Sequence, residues 1–494
     1  FRGGLVQTNR CIDFVFKKIL KACQCDKPFF YMYKYDSVHK KIIVDTLTPV
    51  SIYLKMRDQF SNSILLESSD YSAKDNSYAY ICCNPIAKFY VSDNIIHTEF
   101  PDSYSEIKQI NNKLNLSKEI SNFLKKFEIN EESSKNKFCS GGLFGYMSYD
   151  SVKFLEKINI ENESYGDKIP EVFYSLYSEI IVVNTFNNEA TIISLTGDIK
   201  QAEKIEKIIK TKLISDYTFK LVDELKSNLS DDEFLSLVEK GIKHCNRGDV
   251  FQIVLSRKFN QKFSGDEFCL YRQLRSINPS PYLFYFDYGN FKIFGSSPEA
   301  QLVVKNNKAE IHPIAGTFKR TGDDILDSRK AKKLLKDDKE NSEHMMLVDL
   351  ARNDLSRSCS DVIVEKDREI QFYSHVIHLV SKVTGILKSS YADIIGSTFP
   401  AGTLSGAPKH MAMKLIEKYE KNNRSFYGGA IGFIDFDNNY NHAIIIRSFL
   451  SKNQNLFLQA GAGVVSKSKP KNELKEVYNK IGALLKALEK AEEL

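Results

Sequence analysis

The chain has 494 residues, 42% of them hydrophobic and 27% charged, with 69 basic and 63 acidic side chains leaving a net charge of +6. That length exceeds one small core and calls for a large α/β unit or two subdomains. The positive charge is scattered among acids without a basic block or aromatic–basic stripe, which argues against a nucleic-acid partner, and no apolar run reaches the length of a membrane span. Nine cysteines, an odd number spread along the chain, fit reduced thiols better than a disulfide framework. A cytoplasmic location is expected, or a plastid one if a transit segment precedes Phe1.

In chain order, residues 1–200 form an N-terminal region. Strands are expected at 42–44, 78–82, 143–146 and 178–183, and amphipathic helices at 105–114 and 118–127. The run EESSKNK at 131–137 reads as a polar surface loop. One more helix is expected at 202–213, and 215–228 reads as the connection to a second region, 225–494. Ser230, Asp231, Asp232 and Glu233 open that region as a capping box before an apolar-periodic helix that Gly248 ends. Strands follow at 250–257, 282–286, 292–294, 300–305, 430–436, 443–449 and 456–460. Helices at 325–353, 408–421 and 471–492 alternate with them.

Two stretches carry paired carboxylates. In DKENSEHMMLVDLARND (338–354), Glu340, Glu343 and Leu347 share a helical face, with His344 one turn from Glu340. Met345, Met346, Val348 and Leu350 supply apolar faces, so a substantially buried helix is expected. Buried carboxylates are costly unless a cation or donor faces them, and oxygen-only ligands on a helix suit Mg²⁺ completed by water and a substrate oxygen. KNELKEVYNK (471–480) repeats the spacing with Glu473 and Glu476, backed by Leu474, Val477, Ile481, Leu484, Leu485 and Leu488. One such helix is more often a solvated acidic turn. A metal held between two of them is a specific idea.

Ten motifs of the second region occur in order: FQIVLSRKF (251–259), NPSPYLFYF (278–286), FGSSPEA (294–300), PIAGT (313–317), EHMMLVDLARNDL (343–355), HLVSKVTG (378–385), GTLSGAPK (402–409), YGGAIGF (427–433), IIIRS (444–448) and QAGAGVV (459–465). TPVSIYLKM (48–56), ILLES (64–68) and GGLFGYMSYD (141–150) precede them. Together they resemble the chorismate-utilising enzymes, and among these the large subunits, component I, of anthranilate synthases. The resemblance implies an α/β chain of α+β type, a large and mostly antiparallel β-sandwich flanked by helices. It implies Mg²⁺ on Glu343 and Glu476, with Glu340 and Glu473 nearby, clamping the ring carboxylate of chorismate. Arg447 and the backbone amides of Gly461, Ala462 and Gly463 take the enolpyruvyl carboxylate, since glycines let N–H groups approach an anion. Glu299 matches the acid that protonates the departing 4-hydroxyl, and His378 the residue beside the ring implicated in loss of pyruvate. Gly316, Thr317, Thr403 and Tyr427 match positions that line the pocket.

Two positions choose among the reactions of such enzymes. Where water attacks, a lysine base stands at the place of Gln252; glutamine cannot take a proton, so ammonia is the expected nucleophile. Where amination ends at C4, the motif reads PIKGT; Ala315 offers no nucleophile. That leaves attack at C2, then elimination of pyruvate to anthranilate, the first committed step of tryptophan biosynthesis. No cysteine sits in a G-x-C-x-G elbow, so a separate glutamine amidotransferase subunit is expected to deliver ammonia, commonly in a heterotetramer. Leu66, Glu67, Ser68, Pro281, Tyr282 and Leu283 match the family's pocket for L-tryptophan as feedback inhibitor, with Leu283 a near-isostere of the usual methionine. The alternatives are an aminodeoxychorismate synthase component I with a 4-amino product, or a tryptophan-binding regulatory module with a decayed active site.

Overall fold

The computed structural model describes residues 32–68, 77–111, 114–130, 138–212, 214–215, 217–372 and 376–493. Strands that are apolar at nearly every position are buried on both faces. Tyr78–Ser92 and Val172–Asn184 are two of them, paired along most of their length. In the first, Tyr80 and Cys82 enter one apolar layer, while Ala79, Ile81 and Cys83 enter the other. That alternation sets the architecture. One layer is enclosed largely by strands, and the other lies between the sheet and outer helices that include Asp231–Arg247, Phe268–Ile277 and Pro470–Ala491.

The strands join one closed antiparallel sheet, apart from a small parallel pair of Tyr33–Asp36 with Phe127–Asn130. Leu283 pairs with Glu67, and Ala430–Asp435 runs against Gly142–Met147. Main-chain hydrogen bonds therefore cross between the segments 1–200 and 225–494. This is the α+β sandwich that the motifs imply. Among the described residues no helix is long and apolar enough to cross a membrane.

The capping box forms as read. Ser230 Oγ accepts from the Glu233 amide, Glu233 Oε2 accepts from the Ser230 amide, and Gly248 ends the helix at φ 79°. The helices expected at 118–127 and 202–213 are Leu116–Leu124 and Ile199–Ile209. Other segments differ. The helix expected at 105–114 is replaced by an exposed strand, Ser105–Gln109, laid along Ile95–Glu99; ladder pairing outweighs a weak helical period. The connection expected at 215–228 contains a strand, Phe219–Ser227, against Gln252–Gly265, whose solvent-facing polar residues disguise it. Residues 325–353 form two helices, Asp324–Leu334 and Asp338–Ser356. The strand expected at 443–449 breaks into Tyr440–Ile444 and Ser448–Lys452, with Arg447 between them in the left-handed region at φ 52°. Cys359–Phe372 and Val376–Leu387 are further strands, the first mostly exposed and polar. The loop at 131–137 lies outside the described residues.

Candidate active site

Ile314–Lys319 runs beside Val376–Leu387 and against the acidic helix Asp338–Ser356. The register slips between Ala315 and Thr317, so Gly316 bulges at φ 66°. A Cβ on Gly316 would stand 3.4 Å from Glu340 Oε2 and 3.0 Å from the Leu334 side chain. Glycine thus brings the main chain against a carboxylate in a conformation other residues resist. The Gly316 carbonyl accepts from His378 Nδ1 at 3.2 Å. A carbonyl only accepts, so Nδ1 carries the proton and Nε2 is the basic nitrogen. Burial lowers the His378 pKa, the Gly316 bond opposes this, and the Arg447 charge adds to it. The ring is therefore a neutral base at neutral pH. Thr317 pairs with His378 through the backbone, while its side chain lies outside the described residues.

Glu299 sits in the turn between Phe291–Ser297 and Ala300–Lys305. Thr403 Oγ1 donates to its Oε1 at 3.1 Å. Burial pushes the carboxyl up to about 7, against the Thr403 bond and the Lys480 charge. An acid with that pKa can give a proton and regain it near neutral pH.

Arg447 gains its reach from the broken strand. Its left-handed backbone is a strain that functional sites retain. Its Nη1 donates to the Lys480 carbonyl on the C-terminal helix Pro470–Ala491. Lys480 Nζ in turn lies 2.7 Å from Glu476 Oε1 and donates to the Gly461 carbonyl at 2.8 Å. A Cβ on Gly461 would meet the Tyr427 hydroxyl at 3.2 Å. Burial lowers the Arg447 pKa, with Tyr427 and Glu476 opposing, and pushes the Tyr427 phenol up to about 12. Gly461, Ala462 and Gly463 pair with Ser256, Leu255 and Val254. A Cβ on Gly463 would collide with Gln252 Nε2 at 2.3 Å, and Gln252 Oε1 is buried without a hydrogen-bond partner among the described residues. Lys480 is a site residue the motifs do not single out; its one signal is the i,i+4 spacing from Glu476.

The four glutamates come from the two helices as read. Glu473 is 9% exposed, and Glu340, Glu343 and Glu476 are part-buried. The acidic helix is less buried than its sequence suggests: His344 and Val348 are covered, but Met345 is 40% exposed. Among the described residues no three His, Cys, Asp or Glu side chains form a ready-made metal cage.

A family model for chorismate-binding enzymes matches residues 69–486. The chain belongs to the chorismate-binding enzymes. Anthranilate synthase component 1 of Aquifex aeolicus is 36% identical over 92% of this chain and 95% of its own length. That of Bacillus subtilis is 36% identical over 91% and 92%. Among solved structures, anthranilate synthase component I from Streptococcus pneumoniae TIGR4 superposes with a TM-score of 0.73 at 28% identity, covering 90% of this chain and 99% of that one. The menaquinone-specific isochorismate synthase of Escherichia coli shares the fold, with a TM-score of 0.70 at 17% identity.

In this chorismate-binding enzyme a cavity of about 210 Å³ is lined by residues of both the N-terminal and the second segment. Leu66, Glu67, Ser68, Pro281, Tyr282 and Leu283 all line it, joined by Tyr80, Phe433 and Asn441. Among the described residues Asn441 Oδ1 has no hydrogen-bond partner. The Glu67 carboxylate, however, is engaged by Tyr271 at 2.7 Å and by Arg275 Nε at 2.9 and 3.1 Å, so it is tied to the outer helix Phe268–Ile277. The strands around this cavity lead to the active site. Ala430–Asp435 begins just after Tyr427, Tyr440–Ile444 ends just before Arg447, and Tyr282 pairs with Ser297 beside Glu299.

Proposed function

We propose that the chain is the chorismate-converting component of an anthranilate synthase, forming anthranilate and pyruvate from chorismate and ammonia. Gln252 carries this reading. Its Oε1, buried and unpartnered among the described residues, can accept an N–H of ammonia but cannot deprotonate water. Ala315 offers no nucleophile, so nitrogen enters directly at C2.

The residues divide the work. Arg447 and Lys480 supply positive charge for the two carboxylates of chorismate, and Arg447 is fixed by its bond to the helix. Glu299 gives its proton to the 4-hydroxyl, which leaves as water while ammonia adds at C2. The Nε2 of His378 then takes the C2 proton as pyruvate departs and the ring becomes aromatic.

The oxygen-only donor set of Glu340, Glu343, Glu473 and Glu476 fits Mg²⁺, with Glu343 and Glu476 as the holders and a substrate oxygen and water completing the sphere. Bound there, the ion supplies positive charge at the ring carboxylate and favours loss of the 4-hydroxyl. Glu476→Gln is expected to weaken Mg²⁺ binding by more than the roughly 10–100-fold typical of losing an outer-shell partner. Mg²⁺ titration by calorimetry checks this; unchanged binding places the metal elsewhere.

The nitrogen source in this reading is a separate glutamine amidotransferase subunit, in a heterotetramer. The cavity at Leu66–Ser68 and Pro281–Leu283 takes L-tryptophan, with Asn441 Oδ1 as an acceptor for its ammonium group. Ser68→Arg is expected to abolish inhibition and leave turnover intact, because it fills the cavity and sets a cation against that ammonium. Coupling between sites is typically about 1–3 kcal/mol, so chorismate should weaken tryptophan binding by roughly 5- to 150-fold in return. Calorimetry without ammonia measures it. Tryptophan binding unaltered in Ser68→Arg rejects the assignment.

The reaction itself is tested by the regiochemistry of the product from chorismate and ¹⁵N-ammonium. Nitrogen ortho to the carboxylate supports the proposal. A 4-amino product makes the chain an aminodeoxychorismate synthase.

A further inference from the structure

An acid that gives its proton to a leaving hydroxyl ends as a carboxylate, and the next turnover waits until it is protonated again. Beside Glu299 lies a cavity of about 30 Å³, room for a water molecule. Leu347, Leu350 and Ala351 of the acidic helix wall it, and Thr403 and Asp354 add polar groups. The residues assigned to the substrate's carboxylates do not line it.

Asp354 belongs to the motif EHMMLVDLARNDL, and no step of the reaction uses it. It is 9% exposed. Its Oδ2 is held by Lys409 Nζ at 2.6 Å, and Lys409 also donates to the carbonyls of Ser397 and Thr398, at 3.3 and 2.9 Å. Arg357 and Glu156 are the other charges that act on it. Burial pushes Asp354 up to about 6, against Lys409, close to the value of about 7 for Glu299.

We propose that Asp354 is the proton relay of Glu299, returning a proton to it through a water in the shared cavity after each turnover. Asp354 gives its proton to the water, the water gives another to the Glu299 carboxylate, and Asp354 regains one from bulk solvent. No carbon bond changes. The two acids are matched closely enough for exchange in either direction.

The inference rests on Glu299 as the acid of the proposed reaction, and the test separates the two. Enzyme held at about pH 6, with Glu299 protonated, is mixed with chorismate, Mg²⁺ and ammonium at about pH 8, and anthranilate fluorescence is followed by stopped flow. Asp354→Asn keeps its volume and can still accept from Lys409, but it carries no proton. It is expected to complete a first turnover at the wild-type rate and then run about tenfold or more slower. Leu350→Phe, which fills the cavity without altering either carboxyl, should show the same burst, and Asp354→Glu should restore the steady state. Glu299→Gln should lose the first turnover as well; if it does not, the acid is misassigned. If Glu299→Gln is inactive while Asp354→Asn and Leu350→Phe keep the wild-type steady state, or slow the first and later turnovers equally, the relay is overturned.

Discussion

Glu299→Gln is expected to lower kcat by roughly 10²–10⁴-fold with little change in the KM for chorismate. The amide keeps the size of the side chain and can still accept from Thr403, so the pocket should stay formed while the proton is lost. The active form of Glu299 is the protonated one, and its carboxyl sits at about 7. The wild-type kcat/KM should therefore fall as pH rises through about 7, and the variant's residual rate should lose that limb. Stability moves the same way. A carboxyl raised from 4.5 to about 7 stabilises the fold fully below about 4.5 and loses that contribution as pH rises through about 7. At roughly 1.4 kcal/mol per pKa unit the change amounts to about 3 kcal/mol. Glutamine has no charge to bury, so the variant should melt higher than wild type near pH 8 and nearer to it at acid pH. Calorimetric scans across pH measure this, and a variant less stable at every pH contradicts the burial of Glu299.

Arg424→Met is expected to destabilise the protein by about 3–5 kcal/mol, the usual effect of breaking a buried ion pair from one side. The Arg424 side chain is 1% exposed. Its Nε and Nη2 donate to the two oxygens of Glu420 at 2.9 and 2.6 Å. Its Nη1 and Nη2 also donate to the carbonyls of Leu404 and Val254, at 2.6 and 2.7 Å. Without Arg424, Glu420 keeps among the described residues only the Ser256 amide and hydroxyl, each at 2.8 Å, and becomes an uncompensated buried charge. Activity should fall too. Leu404 follows Thr403, which bonds Glu299, and Arg424 lies 5.9 Å from the Tyr427 ring centre. Adding Glu420→Leu removes the orphaned charge and should recover part of the stability without the activity. Denaturant midpoints with kinetics check both, and a single variant as stable as wild type contradicts this account of the pair.

Much of this architecture is legible in the sequence because local rules act alone there. Ser230 and Glu233 cap their helix whatever surrounds them, and the two glutamate pairs announce their helices by spacing. Where long-range pairing decides, the sequence is less explicit. Ser105–Gln109 and Phe219–Ser227 are strands only because a partner strand lies alongside, and their polar side chains face water. Arg447 is visible as a charge in an apolar run, but the left-handed backbone that aims it at the C-terminal helix is not. The i,i+4 rule reaches Lys480 through Glu476 and Arg424 through Glu420, but the distant partners that make them matter, Gly461, Leu404 and Val254, and the Lys409 that holds Asp354, follow from no spacing rule.

The central claim, C2 amination of chorismate by ammonia in this chain, has a direct measurement. The purified chain alone is given chorismate, Mg²⁺ and an ammonium salt at mildly alkaline pH, and then glutamine in place of ammonium. Anthranilate fluorescence that grows with ammonium, fails with glutamine and disappears on chelation of the metal is the predicted result. Chorismate consumed to isochorismate, to a 4-amino product or to nothing fluorescent under the same conditions contradicts it.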